Sequence, residues 1–398
     1  MIHFVAGNKI ALLHNGQEYF PALEAALDRA RQTIYLETYI FEQDATGRRI
    51  AEALIRAARR GVRVHLLIDG FGSRALDKRL MSDMMEAGVR LLVYRPERAP
   101  WRLRRHRLRR LHRKVAVADR QIAFVGGINV IDDLDTPGQR PPRFDYAVAV
   151  EGPLVAAIFA SSKHLWSLVA WTYLHRGWLR ERPVALPHGS AGTMRAAFVV
   201  RDNLRHRRDI EQAYLAAIAS ARSEVILANA YFLPGLNFRR ALVDAAARGV
   251  KVTLLLQGRV EYFLLHYASR ALYGNFLDAG IEIQEYRKSF LHAKVAVVDG
   301  HWATVGSSNI DPFSLLLSRE GNVVIEDERF AQELKQSLLA AMADGAAPIL
   351  PDSWARQPLR LRIATWLSYG IVRFLMGMAG YAHEDHKPKA GPFRKVAL

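Results

Sequence analysis

Two stretches decide how this chain is read: Leu111-His112-Arg113-Lys114-Val115-Ala116-Val117-Ala118-Asp119 and Leu291-His292-Ala293-Lys294-Val295-Ala296-Val297-Val298-Asp299. They are one phrase written twice. Each is followed by a glycine turn and an asparagine, Gly126-Gly127-Ile128-Asn129 in the first copy and Gly306-Ser307-Ser308-Asn309 in the second. Both asparagines lie 17 positions past their histidine.

The duplication extends outward. Ala25–Arg31 leads into the apolar runs Ile34–Leu36 and Tyr39–Phe41, as Ala216–Arg222 leads into Val225–Ala228 and Tyr231–Phe232. Each run precedes a helical pattern ending in Arg-Gly (Arg60-Gly61 and Arg248-Gly249), where glycine is suited to a helix C-cap. The strands Val62–Ile68 and Val250–Leu256 come next. Strands alternating with helices of ten or more residues predict an α/β fold, with helices layered on a sheet. We expect a domain over 1–185, a second over 186–345, a linker near Pro183–Ser190 and a tail over 346–398.

Composition bounds the rest. The chain has 398 residues, enough for two cores, and half are hydrophobic. Cysteine is absent, which excludes disulfides and thiolate metal sites. Neither a metal nor a cofactor is expected. The net charge of +17 calls for an anionic partner, nucleic acid or an anionic membrane. The N-terminus does not read as a secretory signal. Ile363–Ala382 is just long enough to span a bilayer, but Arg373 and three glycines favour a segment lying in the interface.

In a strand, residues two apart share a face. His112 and Lys114 therefore point together, as do His292 and Lys294, and a returning strand can bring Asn129 or Asn309 to the same end. An imidazole, an ammonium and an amide suit a phosphodiester. One imidazole attacks as nucleophile and the other handles the proton of the alcohol, which accounts for two copies. Lys114, Lys294, Asn129, Asn309 and Ser307 are the groups to stabilise charge on the five-coordinate phosphorus. A histidine also needs a partner to fix its tautomer. We expect Asp145 to orient His112 and Glu320 to orient His292, each within its own half. Asp119 and Asp299 sit an odd number of residues past their lysine, so the strand turns them to the opposite face, as turn-capping groups.

One His-X-Lys is weak evidence. Two full copies on a repeated scaffold are strong. The pattern resembles the phospholipase D superfamily, whose signature both copies fit, and within it the bacterial branch that makes cardiolipin. The resemblance implies two tandem α/β/α sandwich domains sharing one active site. It implies a catalytic set of His112, Lys114, Asp119, His292, Lys294 and Asp299, with a phosphohistidine on His112 and His292 as general acid/base. It also implies transfer of a phosphatidyl group between phosphatidylglycerol molecules with release of glycerol; some members use phosphatidylethanolamine or glycerol. The expected partner is an anionic phospholipid membrane, with the protein peripheral or tail-anchored on its cytoplasmic side, and no nucleic acid is obligatory.

The alternative is a nuclease or phospholipid hydrolase of the same superfamily. The basic run Trp101–Arg110 suits a nucleic-acid backbone or lipid headgroups equally. Leu165–Leu174 and Tyr262–Tyr267 are apolar and aromatic enough to line an acyl groove, or to be core helices.

Overall fold

The computed structural model describes residues 2–96, 109–134, 136, 140–179, 189–312, 314 and 317–378. The basic run over 101–108 and most of the expected linker lie outside the described residues.

Fifteen strands form one continuous sheet. The first half contributes β1 (Val5–His14), β2 (Thr33–Thr38), β3 (Arg63–Asp69), β4 (Arg90–Tyr94), β5 (Val115–Ala118), β6 (Ile122–Gly126) and β7 (Tyr146–Glu151). The second contributes β8 (Met194–Arg201), β9 (Glu224–Asn229), β10 (Lys251–Gln257), β11 (Glu282–Tyr286), β12 (Lys294–Val298), β13 (Trp302–Gly306) and β14 (Glu320–Glu326). A short edge strand, β15 (Ala346–Pro348), pairs antiparallel with β11, so the segment expected as a tail begins inside the sheet. From the junction outward the first half runs β1-β7-β6-β5-β2-β3-β4, and the second runs β8-β14-β13-β12-β9-β10-β11. The two orders are the same order. The halves meet where β1 and β8 pair antiparallel.

Helices α1 (Asn15–Arg29), α2 (Ala45–Arg59), α3 (Lys78–Glu86) and α4 (Leu154–Thr172) belong to the first half. The second has α5 (Asp209–Ser220), α6 (Leu236–Ala247), α7 (Phe263–Arg270), α8 (Tyr273–Asp278) and α9 (Glu328–Gly345). The two Arg-Gly stops end helices as expected, with Gly61 and Gly249 at φ of 84° and 87°, a region that disfavours a Cβ.

The core explains why the halves hold one orientation. On one sheet face α4 and α9 share a single apolar cluster, Leu165 and Trp166 from one half lying with Leu334 and Leu338 from the other. On the other face each half has its own cluster, under α1–α3 and under α5–α8. The shared layer buries apolar area across the junction, and such burial is worth about 25 cal/mol per Å². The Leu165–Leu174 stretch is largely a core helix: Leu165, Trp166, Val169 and Ala170 are buried, with Leu168, Trp171 and Leu174 exposed.

Beyond β15 come α10 (Pro351–Ala355) and α11 (Leu359–Met378). α11 packs against α7 and buries Thr365, Ser368 and Val372, while Leu359, Ile363, Trp366, Leu367 and Phe374 are exposed. Among the described residues the one helix long and apolar enough to cross a membrane is α4, and half of it is buried inside the fold.

Candidate active site

The two His-X-Lys segments enter the sheet at equivalent places, β5 and β12. Each enters beside the other half of the chain. The His112 amide donates to the Arg319 carbonyl at 2.9 Å, and the His292 amide donates to the Phe144 carbonyl at 2.8 Å. Arg319 and Phe144 immediately precede Glu320 and Asp145, so these bonds set which acid meets which imidazole.

The pairing is crossed. His112 Nδ1 lies 2.9 and 3.1 Å from the two Glu320 carboxylate oxygens. His292 Nδ1 lies 2.6 Å from Asp145 Oδ2. The expectation that each acid serves its own half was wrong. Each acid does sit at the mouth of the strand foreseen, but antiparallel packing at the β1–β8 junction carries it across to the opposite histidine. Both acids are buried, as are Lys114 and Lys294. The imidazoles are about one-sixth exposed, with side chains at 15% and 16%, so they are the reachable members of a buried cluster.

The acids differ by one methylene, and their surroundings match that difference. A Cβ at Gly127 would collide with the Asp145 carboxylate, so glycine is required where the shorter acid sits. The corresponding residue in the second copy is Ser307. Its hydroxyl donates to Glu320 Oε2 at 2.5 Å and accepts from the Gly321 amide at 3.1 Å. Ser307 is therefore committed to holding Glu320, and its expected place among the phosphate-binding groups is corrected to a supporting one behind His112.

Lys114 Nζ donates to the His112 carbonyl at 2.8 Å, and Lys294 Nζ donates to that of His292. Asn129 Oδ1 accepts from the Ile40 amide at 3.1 Å, anchoring the loop after β2. Asn309 Oδ1 is buried without a partner among the described residues, as is Nδ2 of Asn229, which pairs across the sheet with Lys294. Unpaired buried polar atoms are costly and tend to mark where a ligand or water completes the bonding. Sequence reading missed Asn229, and also Tyr39, whose ring meets His112 edge-on at 5.0 Å between centroids.

Asp119 and Asp299 stand apart from this cluster. Asp119 accepts from the amides of Arg31, Gln32 and Thr33 at 2.7–2.8 Å. Asp299 accepts from the amides of Arg222, Ser223 and Glu224 and from the Ser223 hydroxyl, at 2.8–3.0 Å. They pin the turn ahead of β2 and β9, as their odd spacing foretold, and their place in a catalytic set is corrected accordingly.

Burial dominates the electrostatics. It pushes the Lys114 and Lys294 ammoniums down to about 7 and about 8, against the pull of Glu320 and Asp145. It pushes the Asp145 carboxyl up to about 7, against Lys294. Burial also lowers both imidazoles. His112 is partly restored by Glu320, whereas His292 is driven further down by Lys294, Lys114, His112 and Arg143. Charges from both halves thus act on each histidine, as they must if one site is shared. An anion placed among these groups would favour their protonated forms. Among the described residues no group of histidine and acidic side chains is arranged to hold a metal ion.

Two imidazoles backed by carboxylates, with two lysines behind them, define a phosphodiester-transforming centre of the phospholipase D class. The family described as "Cardiolipin synthase, PLD-like domain" matches residues 23–133 and 214–341. Cardiolipin synthase B of Escherichia coli O6:H1 is 38% identical over 388 residues, covering 97% of this chain and 93% of that protein. Cardiolipin synthase B of E. coli strain K12 is 41% identical over 337 residues, 85% of this chain and 81% of the other. The crystal structure of phosphatidylserine synthase from Haemophilus influenzae Rd KW20 superposes with a TM-score of 0.69 at 12% identity, covering 96% of this chain and 97% of the other, and shows the shared fold. This chain belongs to the phospholipase D-like cardiolipin synthase family.

Proposed function

We propose that this protein is a cardiolipin synthase, moving a phosphatidyl group from one phosphatidylglycerol to another and releasing glycerol. His112 Nε2 attacks phosphorus while His292, protonated on substrate binding, gives its proton to the departing glycerol oxygen. The acceptor hydroxyl then returns a proton to His292 and displaces His112, breaking the P–N bond. Glu320 keeps the His112 proton on Nδ1 and stabilises the cationic phosphohistidine, and Asp145 does the same for the His292 imidazolium. Lys114, Lys294, Asn129 and Asn309 are the groups assigned to the phosphoryl oxygens. The observation that carries this reading is the crossed pairing, since it leaves two buttressed imidazoles in one cluster.

One observation favours the opposite division of roles. Burial, with the charges of Lys294, Lys114 and Arg143, drives His292 well below the ordinary imidazole range, while Glu320 partly restores His112, and a deprotonated imidazole suits a nucleophile. Phosphatidyl-p-nitrophenol, whose leaving group needs no acid, separates the two. His292→Ala should give a burst of p-nitrophenolate and a phosphatidyl adduct on the His112 peptide, and His112→Ala neither. The reverse pattern would exchange the roles. Cleavage of single-stranded DNA with phosphatidylglycerol untouched would replace the lipid reading by a nuclease one.

The reading includes peripheral attachment to an anionic membrane through α11. Its outward face presents Ile363, Trp366, Leu367 and Phe374, flanked by exposed Arg360, Arg362 and Arg373. Apolar groups for the acyl boundary ringed by cations for headgroups are what an interfacial helix requires.

A further inference from the structure

The halves differ where their equivalent strands β3 and β10 end. Asp69 closes the first. Its buried carboxylate accepts from the amides of Leu111, Phe71 and Gly72 at 2.8–3.1 Å, so the position is sealed. The equivalent residue after Leu256 is Gln257, and among the described residues it has no such set of three amide donors. Gln257 is 6% exposed, its Oε1 accepts from the Arg259 amide at 3.4 Å, and its Nε2 has no partner among the described residues.

That side chain lines an open-mouthed cleft under α7, together with Tyr231, Glu261, Tyr262 and His266. The cavity adjoins the catalytic cluster. The Ala230 amide donates to the carbonyl of Ala293, next to His292, at 3.0 Å, and Asn229 sits across from Lys294. Glu261 and Lys294 are near enough for each charge to act on the other.

The lining is unsuited to a second phosphate. Glu261 is a carboxylate, and the Arg259 guanidinium donates to the carbonyls of Arg287 and Lys288. It offers an unpaired amide donor, a carboxylate acceptor already receiving the Tyr231 hydroxyl, and the Tyr262 hydroxyl. Such a set matches an uncharged group with adjacent hydroxyls, each of which donates and accepts.

We propose that this cavity is the acceptor subsite, holding the vicinal hydroxyls of a glycerol-type headgroup between the Gln257 amide and the Glu261 carboxylate, beside the phosphorus under attack. The inference rests on the transferase reading above. The acceptor's free hydroxyl gives its proton to the acid/base histidine as its oxygen bonds phosphorus and the P–N bond breaks. A headgroup seated here outcompetes water for the adduct.

The test is the partition of that adduct in the full chain. Phosphatidylglycerol vesicles are supplied with ¹³C-glycerol, and mass spectrometry gives the ratio of labelled phosphatidylglycerol to phosphatidic acid. The ratio does not depend on how much enzyme is folded or how fast the donor reacts. Gln257→Leu and Glu261→Gln should each lower it about tenfold, the worth of one hydrogen bond to the acceptor. Cardiolipin formed relative to phosphatidic acid, read in the same samples, should fall in parallel if the lipid headgroup uses the cavity; a fall for free glycerol alone assigns it to the free polyol. An unmoved ratio in both variants, or ethanolamine displacing glycerol as preferred acceptor, overturns the inference while leaving the transferase intact. No turnover of phosphatidylglycerol by the wild type overturns the transferase reading and this inference with it.

Discussion

The crossed pairing makes a demand that no arrangement within separate halves would make: Glu320→Gln, a change in the second half, should cripple the histidine of the first. The substitution is nearly isosteric. Ser307 can turn its hydroxyl to accept from the new amide, so the amide oxygen still faces His112 Nδ1 and the tautomer survives. What is lost is charge. A hydrogen bond to an ionised group contributes about 1.5–3 kcal/mol against about 1 for a neutral one. The difference of about 0.5–2 kcal/mol corresponds to about 2–30-fold in kcat/KM with phosphatidylglycerol. Glu320→Ala also leaves Nδ1–H unpaired in a buried place, which adds a further penalty of about 1–3 kcal/mol. Kinetics alone would not show which imidazole is affected, but ¹⁵N-histidine NMR does. Glu320→Gln should move the His112 Nδ1 resonance and spare His292, and Asp145→Asn should do the converse. If Glu320→Gln instead shifts His292 and leaves His112 in place, the crossing and the mechanism built on it are refuted.

Four other outcomes follow from the geometry. Asp299→Ala should cost about 2–3 kcal/mol in urea unfolding, about 1–2 for a lost cap and about 1 for an alanine held at φ 50°, while the enzyme that stays folded keeps a near wild-type kcat/KM. The Asp299 carboxyl is held down to about 2 by the amides it accepts from, against its partial burial, so its contribution is present above the ordinary aspartate range near 3.9 and fades as pH falls towards 2; acid titration of stability in Asp299→Asn should lack that step. The pH profile of kcat/KM should be a narrow bell: above 7–8 the ammoniums of Lys114 and Lys294 discharge, and below about 7 Asp145 protonates and releases His292, so a broad plateau from pH 5 to 9 would contradict the buried cluster. Replacing Trp366 and Phe374 by serine should weaken sedimentation with anionic vesicles at least about tenfold, given about 1.5–3 kcal/mol per large apolar side chain buried, and should leave turnover of a short-chain soluble phosphatidylglycerol unchanged.

Much of this was legible in the sequence, for identifiable reasons. Strand parity placed His112 with Lys114 and turned Asp119 away, because a period of two is fixed by the pleat. The Arg-Gly stops located α2 and α6, since only glycine relaxes at the φ they need. Asp145 and Glu320 were recognised as the orienting acids, yet attached to the wrong histidines. Spacing along the chain carries no record of how two halves dock, so it could not show that each acid faces the other half's histidine. Ser307 was misplaced because a hydroxyl in a glycine turn looks free until the longer acid behind it is seen. Gln257 gave no signal by itself; comparison with Asp69, its counterpart in the repeat, was the available clue. The Tyr262–Tyr267 stretch was recognised as apolar, but only the fold shows it roofing a polar cavity.

The exchange of carboxylates has a consequence for ancestry. A precursor bearing one motif in this layout would have possessed no working centre until two copies met about a twofold axis, each lending its acid to its neighbour. Joining the copies in one polypeptide abolished the dependence of activity on concentration. It also leaves the paired loops free to differ, as the pinned turn at Asp69 and the open cleft beside Gln257 do.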